Sequence, residues 1–308
     1  MKKTGTFACA TLLISTALIS ACNQYTPCNP GVDAAHIPQE IQHATAALKG
    51  RQSDITLLTC TGRLSFREGD FSAAERAYRK ALALADSPRD RETLLQGLAA
   101  SVKYLNHPQE AVDALTEKLK IDEALGDKES SSQTYATLAS VYGDMGKFRE
   151  SIAMSLASLP GLKSSSDTSA TCNNIAMSYL SMQQFDQAQR YIDRSIALDT
   201  SSRNLDYLGI HRINKGIMYG RVADYAQAIP QLAQGISLTE QSGNKFWTMR
   251  GLDAMAFSLS RSGRTTEAVQ ALQRAEKLAV ELGRDKERTQ FAQSIERLSS
   301  ERQARSRE

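Results

Sequence analysis

Between Leu58 and Leu82 the apolar positions recur with a helical period that is broken once. Leu58, Gly62 and Phe66 share a face before the break, and Ala74, Tyr78 and Ala81 share one after it. The break is Gly69-Asp70-Phe71: a breaker, a polar residue and an aromatic. Gly62 and Ala74 are small enough to let two antiparallel helices approach closely, and Tyr78 fills the space beyond them. The stretch predicts a helix–turn–helix hairpin that cannot bury its own apolar face and needs stacked copies of itself.

The copies follow. The small residue early in each second helix recurs as Ala74, Ala111, Ser151, Ala188, Ala228 and Ala268, at intervals of 37, 40, 37, 40 and 40 residues. The small residue of each first helix keeps step as Gly62, Ala99, Ala139, Ala176, Gly216 and Ala256, with Tyr142, Tyr179 and Tyr219 three positions beyond the third to fifth of these. Ser87-Pro88 reads as a helix start. Pro160-Gly161 with the run Ser164 to Asp167, and Ser242-Gly243-Asn244, read as loops between hairpins. Pro230 falls inside an expected second helix and predicts a bend or a delayed start there. Ile41, Ala44 and Leu48 mark a lone helix over the first hairpin's open edge. Phe291, Ile295 and Leu298 mark a charged terminal helix expected to fray past Ser300.

From about Ser53 to Gly283 this register resembles the tetratricopeptide repeat, whose small residue, tyrosine, turn aromatic and second small residue stand at these offsets. The intervals exceed the family's usual ~34 residues, which points to longer helices or loops. The resemblance implies an all-α, right-handed α-solenoid over 53–284, with hairpins at about 54–87, 88–127, 130–161, 167–200, 204–242 and 245–283. An N-terminal helix within 33–50 and a capping helix and tail over 285–308 complete the expected domain plan.

The same resemblance implies that first helices line a concave groove and that the partner is a protein or an extended peptide. The family's groove offsets fall on Arg63, Arg67, Gln96, Ala100, Lys103, Ser140 and Asp144 in the first half. In the second half they fall on Asn173, Asn174, Met177, Asn214, Ile217, Arg221, Arg250, Asp253, Phe257 and Arg261. Asn174 and Asn214 occupy one equivalent offset, where an exposed amide suits a peptide backbone because it both donates and accepts. The basic residues outnumber the acids, which suits an acidic partner.

The first 22 residues have a different pattern. Lys2 and Lys3 precede roughly a dozen apolar or small residues, too few for a permanent span. Ile19-Ser20-Ala21-Cys22 resembles the bacterial lipoprotein box, which implies removal of residues 1–21, a lipid on Cys22 and a tether over 22–32. Asn23, where that family's inner-membrane signal is Asp, points to an outer-membrane lipoprotein facing the periplasm, with inner membrane and cell surface left open. Cys28, Cys60 and Cys172 then remain in an oxidising compartment. Cys172 falls on a buried helix face, which leaves Cys28 and Cys60 as the candidate disulfide.

Composition changes this picture little. With 41% hydrophobic and 23% charged residues the chain can bury a core, and 6% aromatics with seven prolines suit a helical array. The net charge of +3 falls to +1 without Lys2 and Lys3, and no basic stripe points to nucleic acid. His36, His43, His107 and His211 are scattered without metal spacing, and no cofactor motif is present. Ser242 and Lys245 share the serine–lysine spacing of penicillin-binding enzymes but lack the companion motifs. The sequence thus predicts a membrane-anchored, non-catalytic adaptor for an envelope assembly such as a pilus, secretion or cell-wall machine. The alternatives are a self-assembling structural lipoprotein and, further off, an envelope serine–lysine enzyme; oligomeric state stays open.

Overall fold

The computed structural model describes residues 37–48 and 54–305. The expected leader, Cys22, the tether and Cys28 lie outside these residues. Helix α1 (Ile37–Leu48) precedes six hairpins: α2 (Ile55–Glu68) with α3 (Phe71–Leu82), α4 (Pro88–Tyr104) with α5 (Pro108–Ala124), and α6 (Lys128–Asp144) with α7 (Phe148–Ser158). After a 3₁₀ turn at Leu159–Gly161 come α8 (Ser165–Ser181) with α9 (Phe185–Ser202), α10 (Leu205–Arg221) with α11 (Tyr225–Gln241), and α12 (Lys245–Arg261) with α13 (Thr265–Glu281). A final helix, α14 (Asp285–Arg305), ends the chain. Every regular element among the described residues is helical.

The helices start and stop for local reasons. Asp54, Asp70, Asp127, Asn204, Asp224 and Asn244 each cap a helix by accepting from the backbone N–H three residues on. Most turns need one residue in the left-handed region. Gly69 and Gly146 supply it at φ 87° and 72°, whereas Asn106, Gln183, Arg203 and Ala223 adopt it with side chains. Ser164 caps α8, so the serine run expected as a loop is the first turn of a helix. Pro230 does not delay its helix either: α11 begins at Tyr225 and continues to Gln241, with Pro230 on the exposed side. Helix α14 likewise continues past Ser300 to Arg305.

The hairpins group into two compact units, divided between Leu162 and Lys163. In the N-terminal unit, Tyr78 is inserted between small residues of two first helices. A Cβ added at Gly62 or Gly97 would stand closer than 3.0 Å to its ring. Leu58, Leu94, Leu98, Val102, Leu115, Leu138 and Val141 complete that core. Ile37, Ile41 and Ala44 of α1 pack on Cys60 and Leu64 of α2, which closes the first hairpin's edge. Cys60 is disulfide-bonded, and Cys172 is a buried free thiol whose ionisation is pushed up by burial.

In the C-terminal unit the close approaches are at Gly209 against Gly235, Gly216 against Leu232, and Gly251 against Ile213 and Ile236. Ala256, Leu259, Leu272, Ala275 and Ala279 form the last hairpin's core, over which α14 lays Phe291 and Leu298.

Candidate functional site

In the C-terminal unit the first helices α8, α10 and α12 lie side by side. Helix α12 turns Trp247, Arg250, Asp253, Phe257 and Arg261 to one side, at spacings of 3, 3, 4 and 4 residues. The other faces of α12 supply core through Met249, Leu252, Ala256 and Leu259, so this polar and aromatic side is the one left to solvent. Phe257 is 53% exposed, large for an aromatic, and its ring meets Tyr225 edge-on at 6.4 Å. Arg250 lies over the Trp247 ring at 5.9 Å. Trp247 itself is half-buried and edge-on to Phe246.

Arg221, at the end of α10, and Arg261 are exposed and have no ion-pair or hydrogen-bond partner among the described residues. Asp253 is the only acid on α12. Its side chain is exposed, and desolvation by the neighbouring protein raises its carboxyl pKa, opposed by the Arg250 charge.

The expected amide pair separates. Asn174 is half-buried on α8, but Asn214 is 4% exposed, and its Nδ2 donates to Asn173 Oδ1 at 2.9 Å. Asn214 therefore joins α10 to α8 and is not an exposed peptide contact. In the N-terminal unit Arg63 is half-buried and Arg67 exposed. Lys103 is held by Asp144 at 2.8 Å and Ser140 Oγ at 3.0 Å, so three expected groove residues satisfy one another there. Ser242 and Lys245 are not brought together. Ser242 Oγ donates to the Thr239 carbonyl at 3.3 Å, and Lys245 pairs with Glu281 at 2.9 Å. No group of three or more metal-ligating side chains occurs among the described residues.

Sequence reasoning missed a buried polar site repeated at the joints between hairpins. At four joints the capping backbone N–H reaches back five residues: Asp127 to Asp122, Asn204 to Asp199, Asn244 to Thr239 and Arg284 to Ala279. The residue reached faces the side chain twelve positions on at the first two. Asp122 accepts from Thr134 Oγ1 at 2.7 Å, and Asp199 Oδ2 lies 2.6 Å from His211 Nδ1. Lys118 completes the first joint, reaching Asp122 at 2.8 and 3.0 Å, Ser130 Oγ at 2.8 Å and Thr134 Oγ1 at 2.8 Å. Thr248 Oγ1 donates to Thr239 Oγ1 at 3.0 Å at the third, and the fourth is apolar, with Ala275, Ala279 and Phe291. The fold engages these side chains, although Asp199 Oδ1 has no hydrogen-bond partner among the described residues.

Two family models match the chain, both of tetratricopeptide repeats, over residues 62–166 and 169–202. Curated protein sequences give no match. Among solved structures, a tetratricopeptide repeat protein from Parabacteroides merdae superposes with a TM-score of 0.64 at 15% identity, covering 83% of this chain and 92% of that one. A Rap protein complexed with competence and sporulation factor gives 0.59 at 12% identity, covering 86% and 80%. The Cut9–Hcn1 hetero-tetramer of APC/C gives 0.63 at 13%, covering 84% of this chain and 46% of that one. At these identities the structures speak for the fold, and both family matches fall within the hairpin array. The chain is a tetratricopeptide repeat protein, an all-helical scaffold of the kind that holds protein or peptide partners.

Proposed function

We propose that this protein is a lipid-tethered adaptor whose α12 face holds an extended segment of a partner. The observation that carries this reading is the exposed row Arg250, Phe257 and Arg261, with Arg221 at the end of α10. It comprises an unburied aromatic and, in Arg221 and Arg261, cations that the described fold leaves unpaired. A large exposed aromatic flanked by arginines is the composition of an interface centre. The arginines suit carboxylates on the partner, since their planar forks pair with them bidentately.

The tether is proposed at Cys22, on the strength of the Ile19 to Cys22 box, and Asn23 after it supports a position at the bacterial outer membrane facing the periplasm. The disulfide at Cys60 supports an oxidising compartment. A scaffold fixed there serves the assembly of an envelope machine for pili, secretion or the cell wall.

A photo-crosslinking amino acid at Phe257 should capture a partner in intact cells, whereas one at Gln234, on the exposed outer side of α11, should not. Equal capture from both positions would remove the α12 face from the reading. Cys22→Ser should leave an unprocessed chain without lipid; normal processing of that variant would remove the tether.

A further inference from the structure

Asp253 is out of keeping with the arginines around it. It makes no hydrogen bond or ion pair among the described residues, although Arg250 stands one turn before it on the same helix. Arg250 is occupied instead by the Trp247 ring on its other side. One turn beyond Asp253 is Phe257, with its ring largely open and braced by Tyr225. The result is an exposed carboxyl without a hydrogen bond or ion pair among the described residues, one turn from an open aromatic ring.

Resting on the reading of this face as a peptide-binding surface, we infer that Asp253 accepts a lysine or arginine side chain of the bound segment, so that the partner is mixed in charge rather than uniformly acidic. Arg250 acts on this carboxylate through space and makes no ion pair with it, so an arriving cation can form the charge-assisted hydrogen bonds that the fold leaves unmade. Phe257 suits the same guest. Its open ring can take the methylenes of a long basic side chain and attract the charge at its end. A wholly acidic segment would satisfy Arg250 and Arg261 but set a like charge against Asp253, which disfavours it.

The fold gains nothing from this carboxylate. Its raised ionisation means that the folded state favours the protonated form, so its stabilising contribution is present at acid pH and lost as the pH rises through the folded-state value. Asp253→Asn should therefore melt at or above the wild-type temperature at pH 7, with the difference shrinking as the pH falls. Loss of binding by that variant is then not loss of folding.

The test is selection from a displayed random heptapeptide library on the purified full-length chain at physiological salt. Wild type should enrich peptides that carry Lys or Arg together with Asp or Glu. Asp253→Asn should reduce the Lys and Arg enrichment at least threefold while the acidic preference stays, and Asp253→Glu should restore it. Asp186→Asn, an exposed change on α9, should leave both preferences unchanged. Wild-type peptides enriched in acids alone, or a basic preference that persists in Asp253→Asn, would overturn this inference and leave peptide binding standing. No enriched sequence on wild type would overturn the peptide-binding reading itself.

Discussion

Lys118→Met is expected to destabilise the N-terminal unit by about 3–5 kcal/mol, because it strips the counter-ion from a buried carboxylate. Asp122 is 0% exposed and Lys118 5%, and the ammonium makes four contacts of 2.8–3.0 Å with Asp122, Ser130 and Thr134. Methionine keeps the length and apolar stem of lysine, so the change isolates the charge. The Thr134 hydroxyl still donates to Asp122 at 2.7 Å, and the single Ser130 proton is shared between Asp122 at 3.0 Å and Glu92 at 2.7 Å, but neutral donors do not replace a full charge. For a unit of this size the loss corresponds to a fall in melting temperature on the order of 10–15 °C.

Urea unfolding followed by circular dichroism gives the free energy, and hydrogen exchange along α5 and α6 shows where it is lost. Adding Asp122→Leu removes the orphaned charge and should recover stability to within about 1–2 kcal/mol of wild type. The joint before α14 shows that an apolar solution exists: Ala275, Ala279 and Phe291 stand where this joint has Lys118, Asp122 and Thr134. A single variant costing under ~1 kcal/mol, or a double variant as damaged as the single, would refute the argument.

Gly97→Ala pushes a methyl into the Tyr78 ring and should cost about 1–3 kcal/mol by urea unfolding; a neutral result would mean that α4 shifts freely. Pro230→Ala restores a backbone donor inside α11 on its solvent side and should stabilise by about 1–2 kcal/mol, read as a raised melting temperature. Asn214→Ala leaves Asn173 Oδ1 without its donor and should cost about 1–3 kcal/mol; a variant that lost partner binding at full stability would return Asn214 to the binding face.

The hairpins were legible in the sequence because their signal is a contact requirement. Tyr78 needs small neighbours, and Gly62 shows one of them; the second, Gly97, lies off the repeat's own register and was not singled out. The turns were only half legible. A glycine announces a left-handed residue, but Gln183, Arg203 and Ala223 adopt the same backbone without any chemical mark. Pro230 misled for a definite reason. Its missing N–H frees a carbonyl at the exposed side of α11, where water can satisfy it, so the helix continues.

The candidate site divides along a different line. A repeat offset says which way a position points on an isolated helix, but not whether the neighbouring helix already stands there. Asn214 was expected in a groove and instead meets Asn173 on the next first helix. Lys118, Asp122, Asp199 and His211 were passed over because charged residues are ordinarily solvated. Their signal was a twelve-residue pairing across a joint, Asp122 with Thr134 and Asp199 with His211, recurring with the hairpins. Asp122 and Asp253 then show what separates structure from function in this chain. One is buried between helices and the other is exposed on a helix face. The fold surrounds Asp122 with an ammonium and two hydroxyls and thereby spends it on cohesion. It gives Asp253 no hydrogen bond or ion pair, sets the nearest arginine over a tryptophan, and leaves the carboxyl accessible. A charge the fold leaves exposed and unpaired is one that a partner can still neutralise, which is why the proposal assigns Asp253 and not Asp122 to the binding face.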